Sequence, residues 1–250
     1  MISTKYKLQE RYAHLEPFLL KIKEAFAQPA ELIHDARNQL KILTVDDLEI
    51  VVKSFRIPNA INQIAYAYLR DSKAKKSYEN ALKLQSLGIT TPEPVAYIEF
   101  YENGLLKESY FLSLRSRYDF TIREPLLDPA WPDHDLIFAQ FGEFTQSLHQ
   151  KEVLHRDYSP GNILISKLPD QRYRFDLVDI NRMRFGVLSD VEKMKNLAQL
   201  WADEKDLNII AGAYAGHAGI DSEKTAEAII FYDQQHKKIK NFKRRLKGKK

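Results

Sequence analysis

Hydrophobic and polar positions change rhythm along the chain, and each change marks an expected element. Residues 5–27 carry apolar side chains at spacings of three and four. They read as an amphipathic helix or two, broken near Pro17. Over 30–55 the pattern shortens to alternation, which predicts three short strands with turns at Asp35–Asn38 and Asp46–Asp47. A long helical stretch follows Pro58. Its later part, 72–88, repeats apolar residues at Tyr78, Ala81, Leu82, Leu84 and Leu87, with Ser72 as N-cap and Gly88 as the stop. Residues 91–116 read as two strands closed by Asn103–Gly104, the strongest short hairpin signal.

From there the rhythm becomes helical. Leu136, Ile137, Phe141, Phe144 and Leu148 form one stripe over 133–151. Two apolar strands follow, "NILIS" and "RFDLVDI", joined by "KLPDQR", and from Ser189 on the pattern is again helical. "AGAYAGHAG" (211–219) is read as a loop or a loose helix junction. A β-rich first half before a mainly helical second half predicts an α+β, two-lobed chain. The expected divisions are an N-terminal helical extension at 1–30, an N-lobe at 31–116, a C-lobe at 117–236 and a tail at 237–250.

Composition narrows the function classes. The chain has 250 residues and no cysteine, so disulfides, thiolate nucleophiles and cysteine metal sites are excluded. No stretch has the length of a signal peptide's apolar segment or a membrane span, and the expected location is the cytoplasm. Charge is uneven. Residues 237–250 hold nine Lys/Arg and no acid, and against a whole-chain charge of +4 this leaves −5 on residues 1–236. Ile239, Phe242 and Leu246 recur at helical spacing within that basic tail. It reads either as a solvated terminus or as a peripheral contact with an anionic membrane face; nucleic acid has only the tail's charge to support it.

The candidate chemistry lies in "LHRDYSPGNILI" (154–165). Asp157 and Asn162 stand five residues apart, with Pro160 and Gly161 turning the chain between them. Seventeen residues beyond Asn162, Asp179 follows an apolar strand. An amide oxygen and a carboxylate at the ends of neighbouring strands form a hard-oxygen set suited to Mg²⁺, which completes its shell with water and phosphate oxygens. Asp157 beside them is available to orient or deprotonate a hydroxyl. Phosphoryl transfer also needs a cation on the nucleotide. Lys53 in "EIVVKSF" supplies one, with Glu79 as its candidate carboxylate partner and Glu93 as competitor. His155 is read as a buried histidine holding backbone, and Arg156 as paired with a local acid. Trp131 and Trp201 are read as packing residues, and the other histidines show no metal spacing.

H-R-D-x-x-x-x-N, an Asp after the next strand pair and an upstream V-x-K resemble the protein-kinase-like pattern. "VVKSF", "AKKSYENALKLQSLGITTPEPVAY", "LHRDYSPGNIL" and "LVDINRMRF" resemble the blocks of the bacterial lipopolysaccharide kinase (Kdo/WaaP) family. The resemblance implies a bilobal kinase fold that uses ATP and Mg²⁺ to phosphorylate a sugar hydroxyl of the lipopolysaccharide inner core, Kdo or heptose. By position it implies Asp157 as catalytic base, Asn162 and Asp179 as metal ligands, Lys53 as phosphate-binding lysine and Glu79 as its partner. There are departures. No glycine lies between Asp35 and Thr44, so side chains of Arg37, Asn38 and Gln39 would have to stand in for a phosphate loop. Asp179 is followed by Ile180 and Asn181, and residues 180–188 contain no Ser, Thr or Tyr. An activation loop switched by phosphorylation is therefore not expected. Transfer to another small molecule or a protein, and a nucleotide-binding pseudokinase, are the alternatives.

Overall fold

The computed structural model describes residues 1–35, 38–55 and 70–246. The expected helix directly after Pro58 and Arg37 of the phosphate-loop substitute lie outside them. The chain divides into two compact units, Met1–Arg117 and Tyr118–Lys250.

The first unit is built on one antiparallel sheet of six strands: β1 (Ile2–Leu8), β2 (Glu31–Asp35), β3 (Gln39–Val45), β4 (Leu48–Phe55), β5 (Pro94–Glu102) and β6 (Leu105–Leu114). Their order across the sheet is β1-β5-β6-β4-β3-β2. Tight turns close the hairpins where left-handed backbone is tolerated: Asp46 (φ 47°) and Asp47 (φ 63°) between β3 and β4, Asn103 (φ 51°) and Gly104 (φ 77°) between β5 and β6. One sheet face, carrying Ile50, Val52, Val95, Ala96, Ile98 and Leu112, packs against Tyr12 and Leu15 of a 3₁₀ turn (Glu10–Leu15), Leu19 of α1 (Glu16–Leu20) and Ile22 and Phe26 of α2 (Ile22–Ala27). On the opposite face α3 (Lys73–Ser86) sets the ring of Tyr78 5.4 Å from that of Tyr97. Ser72 caps α3, accepting from the Lys75 amide at 3.0 Å, and Gly88 stops it at φ 66°.

One expectation fails at the start of the chain. Residues 5–8 are not helical; they finish strand β1, whose Tyr6 and Leu8 pair with Ile98 and Ala96. Leu8, Tyr12, Leu15, Leu19 and Ile22 keep helical spacing across the strand-to-helix junction, so periodicity alone extends the helix too far. What places 2–8 is pairing with β5, and the mostly exposed, lysine-bearing edge is what an outer strand requires.

The second unit joins β7 (Phe120–Thr121), α4 (Arg123–Leu127) and α5 (His134–Gln150) to a run of short elements. These are β8 (Val153–His155), β9 (Ile163–Leu168), β10 (Arg172–Leu177) and β11 (Met183–Phe185), followed by helices α6 (Asp190–Leu197), α7 (Glu204–Ala218) and α8 (Ser222–Leu246). β9 lies between β7 and β10, and β8 pairs with β11. The α5 stripe buries Ile137, Phe141 and Leu148 as its period requires. Gly142 lets α5 meet α7 closely: a Cβ there would stand 2.5 Å from the Ile210 carbonyl oxygen. "AGAYAGHAG" is not a loop but the C-terminal half of α7. Its alanines favour helix, Gly212 and Gly216 face open space, and only Gly219 (φ 67°) stops it.

Candidate active site

The candidate loop lies wholly in the second unit, hung between β8 and β9. His155 ends β8 and is fully buried. Its Nε2 lies 2.9 Å from the Val178 carbonyl oxygen, and its Nδ1 accepts the Asp157 amide at 3.1 Å. A carbonyl can only accept, so His155 carries its proton on Nε2. Burial pushes its pKa below the usual value and keeps it neutral. One ring thus ties the backbone at Asp157 to the backbone one residue before Asp179, which agrees with the sequence reading of His155 as a backbone-holding residue.

The register of β9 and β10 does the rest. Ile163 opposes Leu177, and the Val178 amide donates to the Asn162 carbonyl at 3.0 Å, so Asn162 and Asp179 emerge from neighbouring strand ends. The Asn162 amide nitrogen donates to the Asp157 carbonyl at 2.8 Å and to Ser159 Oγ at 3.1 Å. With the nitrogen committed to the loop, Oδ1 is the arm presented away from it. Asp179 is in left-handed backbone (φ 56°), a conformation that aspartate tolerates better than most residues, and its Oδ1 accepts from Asn181 Nδ2 at 2.7 Å. An amide oxygen and a carboxylate on adjacent strand ends fit a hard divalent cation. Among the described residues no cluster of three or more His, Cys, Asp or Glu could hold a metal.

Beyond Asp157 the loop is anchored again. The Tyr158 amide donates to Gln199 Oε1 at 3.1 Å, and its hydroxyl, buried and pushed well above its usual pKa, meets Thr145 Oγ1 at 2.8 Å. The His155 carbonyl accepts from the Asn196 amide nitrogen at 2.8 Å; Asn196 Oδ1 accepts from His149 Nε2 at 3.0 Å; His149 Nδ1 accepts from the Tyr214 hydroxyl at 3.1 Å. Burial lowers His149 to about 4, so this chain is uncharged at neutral pH and runs without interruption from α7 to the loop.

Three basic residues frame the loop. Arg182 Nη1 stands 3.7 Å from Asp157 Oδ2, a pairing the sequence did not suggest. The Arg123 guanidinium lies over Gly161, where a Cβ would come within 2.6 Å of Nη2. Arg156 is exposed and forms no ion pair with a described residue, so the expected local partner is not there.

In the first unit Lys53 lies between Leu40 of β3 and Phe111 of β6, on the face opposite Val52 and in one cross-strand row with Phe111 and Tyr97. That is the face α3 covers. Glu79, however, is exposed on α3 and pairs with Lys75 at 3.8 Å; no ion pair joins it to Lys53. Glu93 is occupied by Arg11 at 3.0 Å.

No curated protein matches the sequence. A solved structure of WaaP in complex with acyl carrier protein superposes with a TM-score of 0.66 at 15% identity, covering 94% of this chain and 98% of that one, which establishes a shared kinase-like fold. The sequence itself matches the lipopolysaccharide kinase (Kdo/WaaP) family over residues 60–210, more than half of the chain and including Glu79, Asp157, Asn162 and Asp179 though not Lys53. The chain belongs to that family.

Proposed function

We propose that the protein is an ATP- and Mg²⁺-dependent kinase that phosphorylates a sugar hydroxyl of the lipopolysaccharide inner core, Kdo or heptose, in the cytoplasm. The observation that carries this reading is the His155 bridge, one buried ring holding the backbone at Asp157 and at Val178 while the β9–β10 register sets Asn162 beside Asp179. Family membership supports the kinase chemistry and favours a lipopolysaccharide acceptor.

In this reading Asp157 receives the acceptor hydroxyl. Arg182 engages Oδ2, which leaves Oδ1 to accept the hydroxyl proton and aim the oxygen at the transferred phosphoryl group. Phosphoryl transfer asks little covalent chemistry of the protein, so fixing the backbone that carries this carboxylate, through the Asp157 amide on His155 and the Tyr158 amide on Gln199, is the loop's main contribution. Asn162 and Asp179 would hold Mg²⁺, which when bound neutralises charge on the phosphate oxygens. Lys53 is assigned to the nucleotide's α/β-phosphates. Glu79 is assigned the supporting role the family pattern gives it, although it rests on Lys75 here.

The test is transfer of labelled phosphate from ATP to isolated lipid A–core acceptors by the full chain. Asp157→Asn should lower kcat by about 10²–10⁴-fold with little change in melting temperature. Undiminished transfer by that variant removes Asp157 from its role. Nucleotide binding without transfer to any acceptor refutes the kinase assignment itself.

A further inference from the structure

The loop chemistry makes no use of the end of α8. Its first part is packed into the second unit through buried Ala226 and Ile229, and buried Asp233 binds Lys237 at 2.6 Å. From Lys238 onward every side chain described is exposed: Lys238, Ile239, Lys240, Asn241, Phe242 and Arg245. Ile239 is 51% exposed and Phe242 63%, and Phe231 is exposed three turns before Phe242. At roughly 100° per residue these three apolar side chains fall within about 80° of one another around the helix, with Lys238 and Arg245 next to them along one edge.

Trp201 lies beside this stripe. Its ring is 6.0 Å from that of His236, and Lys237 donates to the Ala202 carbonyl at 2.6 Å, which ties the two segments together. Trp201 is 44% exposed and in left-handed backbone (φ 62°), a costly conformation for so bulky a residue. The expectation that it is a packing residue does not describe it.

The geometry points to a second function for this surface: an in-plane seat on an anionic bilayer. Ile239 and Phe242 enter the acyl boundary, Trp201 sits at headgroup depth, and Lys238 and Arg245 bind lipid phosphate. Charge selects the occupant. The nine positive charges of 237–250 face a body of −5, so an anionic plane attracts the tail and repels the rest, which fixes orientation as well as affinity. A nucleic acid backbone would use the charges but gives two exposed apolar side chains on a basic face nothing to bury. No helix among the described residues is long and apolar enough to cross a membrane, so the contact is peripheral.

The experiment is co-sedimentation of the full chain with vesicles of phosphatidylcholine plus phosphatidylglycerol, against phosphatidylcholine alone, at low and high salt. Binding should need the anionic lipid and weaken with salt. The double variant I239D/F242D should bind at least about tenfold more weakly while melting like the wild type, since both side chains are exposed. In a Trp131→Phe background, which leaves Trp201 as the one tryptophan, emission should move to the blue on vesicle binding. Equal binding to neutral vesicles, undiminished binding by the double variant, or capture of duplex DNA or an acidic protein with no vesicle binding overturns the proposal. Vesicle binding without a Trp201 shift overturns the position assigned to that ring.

Discussion

Asn196 tests whether the site is held from behind. It is 1% exposed, donates to the His155 carbonyl and accepts from His149. Asn196→Ala orphans one buried carbonyl and one buried ring N–H. At about 1–3 kcal/mol for each unsatisfied group, the loss should be roughly 2–6 kcal/mol. For a chain of this size that lowers the melting temperature by on the order of 4–24 °C. Asn196→Asp is the sharper variant, because it can still accept from His149 but cannot donate to His155. The sign of its pH effect follows from His149, which burial lowers from 6.5 to about 4. The folded state disfavours the protonated ring, so wild-type stability falls as pH drops through 6.5 toward 4, by up to about 3 kcal/mol. A carboxylate at 196 favours the imidazolium and raises that pKa, so the acid loss should shrink. Calorimetric melting between pH 4 and 8, read beside kcat, checks both effects. An alanine variant that melts within about 2 °C of wild type, or an aspartate variant with an unchanged acid limb, would falsify the relay.

Three further outcomes follow from particular contacts. Gly142→Ala drives a Cβ to 2.5 Å from the Ile210 carbonyl oxygen and should destabilise by about 1–3 kcal/mol, whereas Gly212→Ala and Gly216→Ala, in open space on α7, should each stabilise by roughly 0.5–1 kcal/mol; urea unfolding separates them. Asp206, buried 3.4 Å from His134, has its pKa raised from 3.8 to about 6, first by burial and then by Asp203. Its cost therefore appears as pH rises through 3.8–6, so Asp206→Asn should raise stability at pH 7 by up to about 3 kcal/mol and leave it unchanged near pH 3. Lys53→Met should raise KM for ATP and lower kcat by at least about tenfold. Glu79→Gln should do less, because Glu79 is exposed and bound to Lys75, and an equal loss in both would restore a Lys53–Glu79 pair to the working enzyme.

The parts of the molecule legible in its sequence are those written as local chemistry. The Asn103–Gly104 turn, the Ser72 cap, the Gly88 stop and the α5 stripe each depend on residues within a few positions of one another, and each stands where its pattern puts it. The α+β order of lobes follows from the same signals. Of the two elements the pattern misplaces, one needs a partner distant in sequence and the other turns on local propensity. Residues 5–8 become a strand because β5 offers an edge, and α7 runs through "AGAYAGHAG" because alanine propensity outweighs two glycines that touch nothing.

The site divides along the same line. Asp157, Asn162 and Asp179 stand in motif spacing, and the His155 bridge follows from its neighbourhood. Asn181, two residues past Asp179, was visible only as a departure from the kinase pattern, yet its amide orients that carboxylate. Arg182 needed β11 to pair with β8 before it reached Asp157, and Asn196 needed α6 to fold back against the same strand. Glu79 shows the converse: it has the right type and order, but on α3 its carboxylate lies one helical turn from Lys75 and pairs with it. Motif order therefore picks out the candidate groups of the loop, while the residues that orient them are selected by backbone contacts formed only after the strands pair.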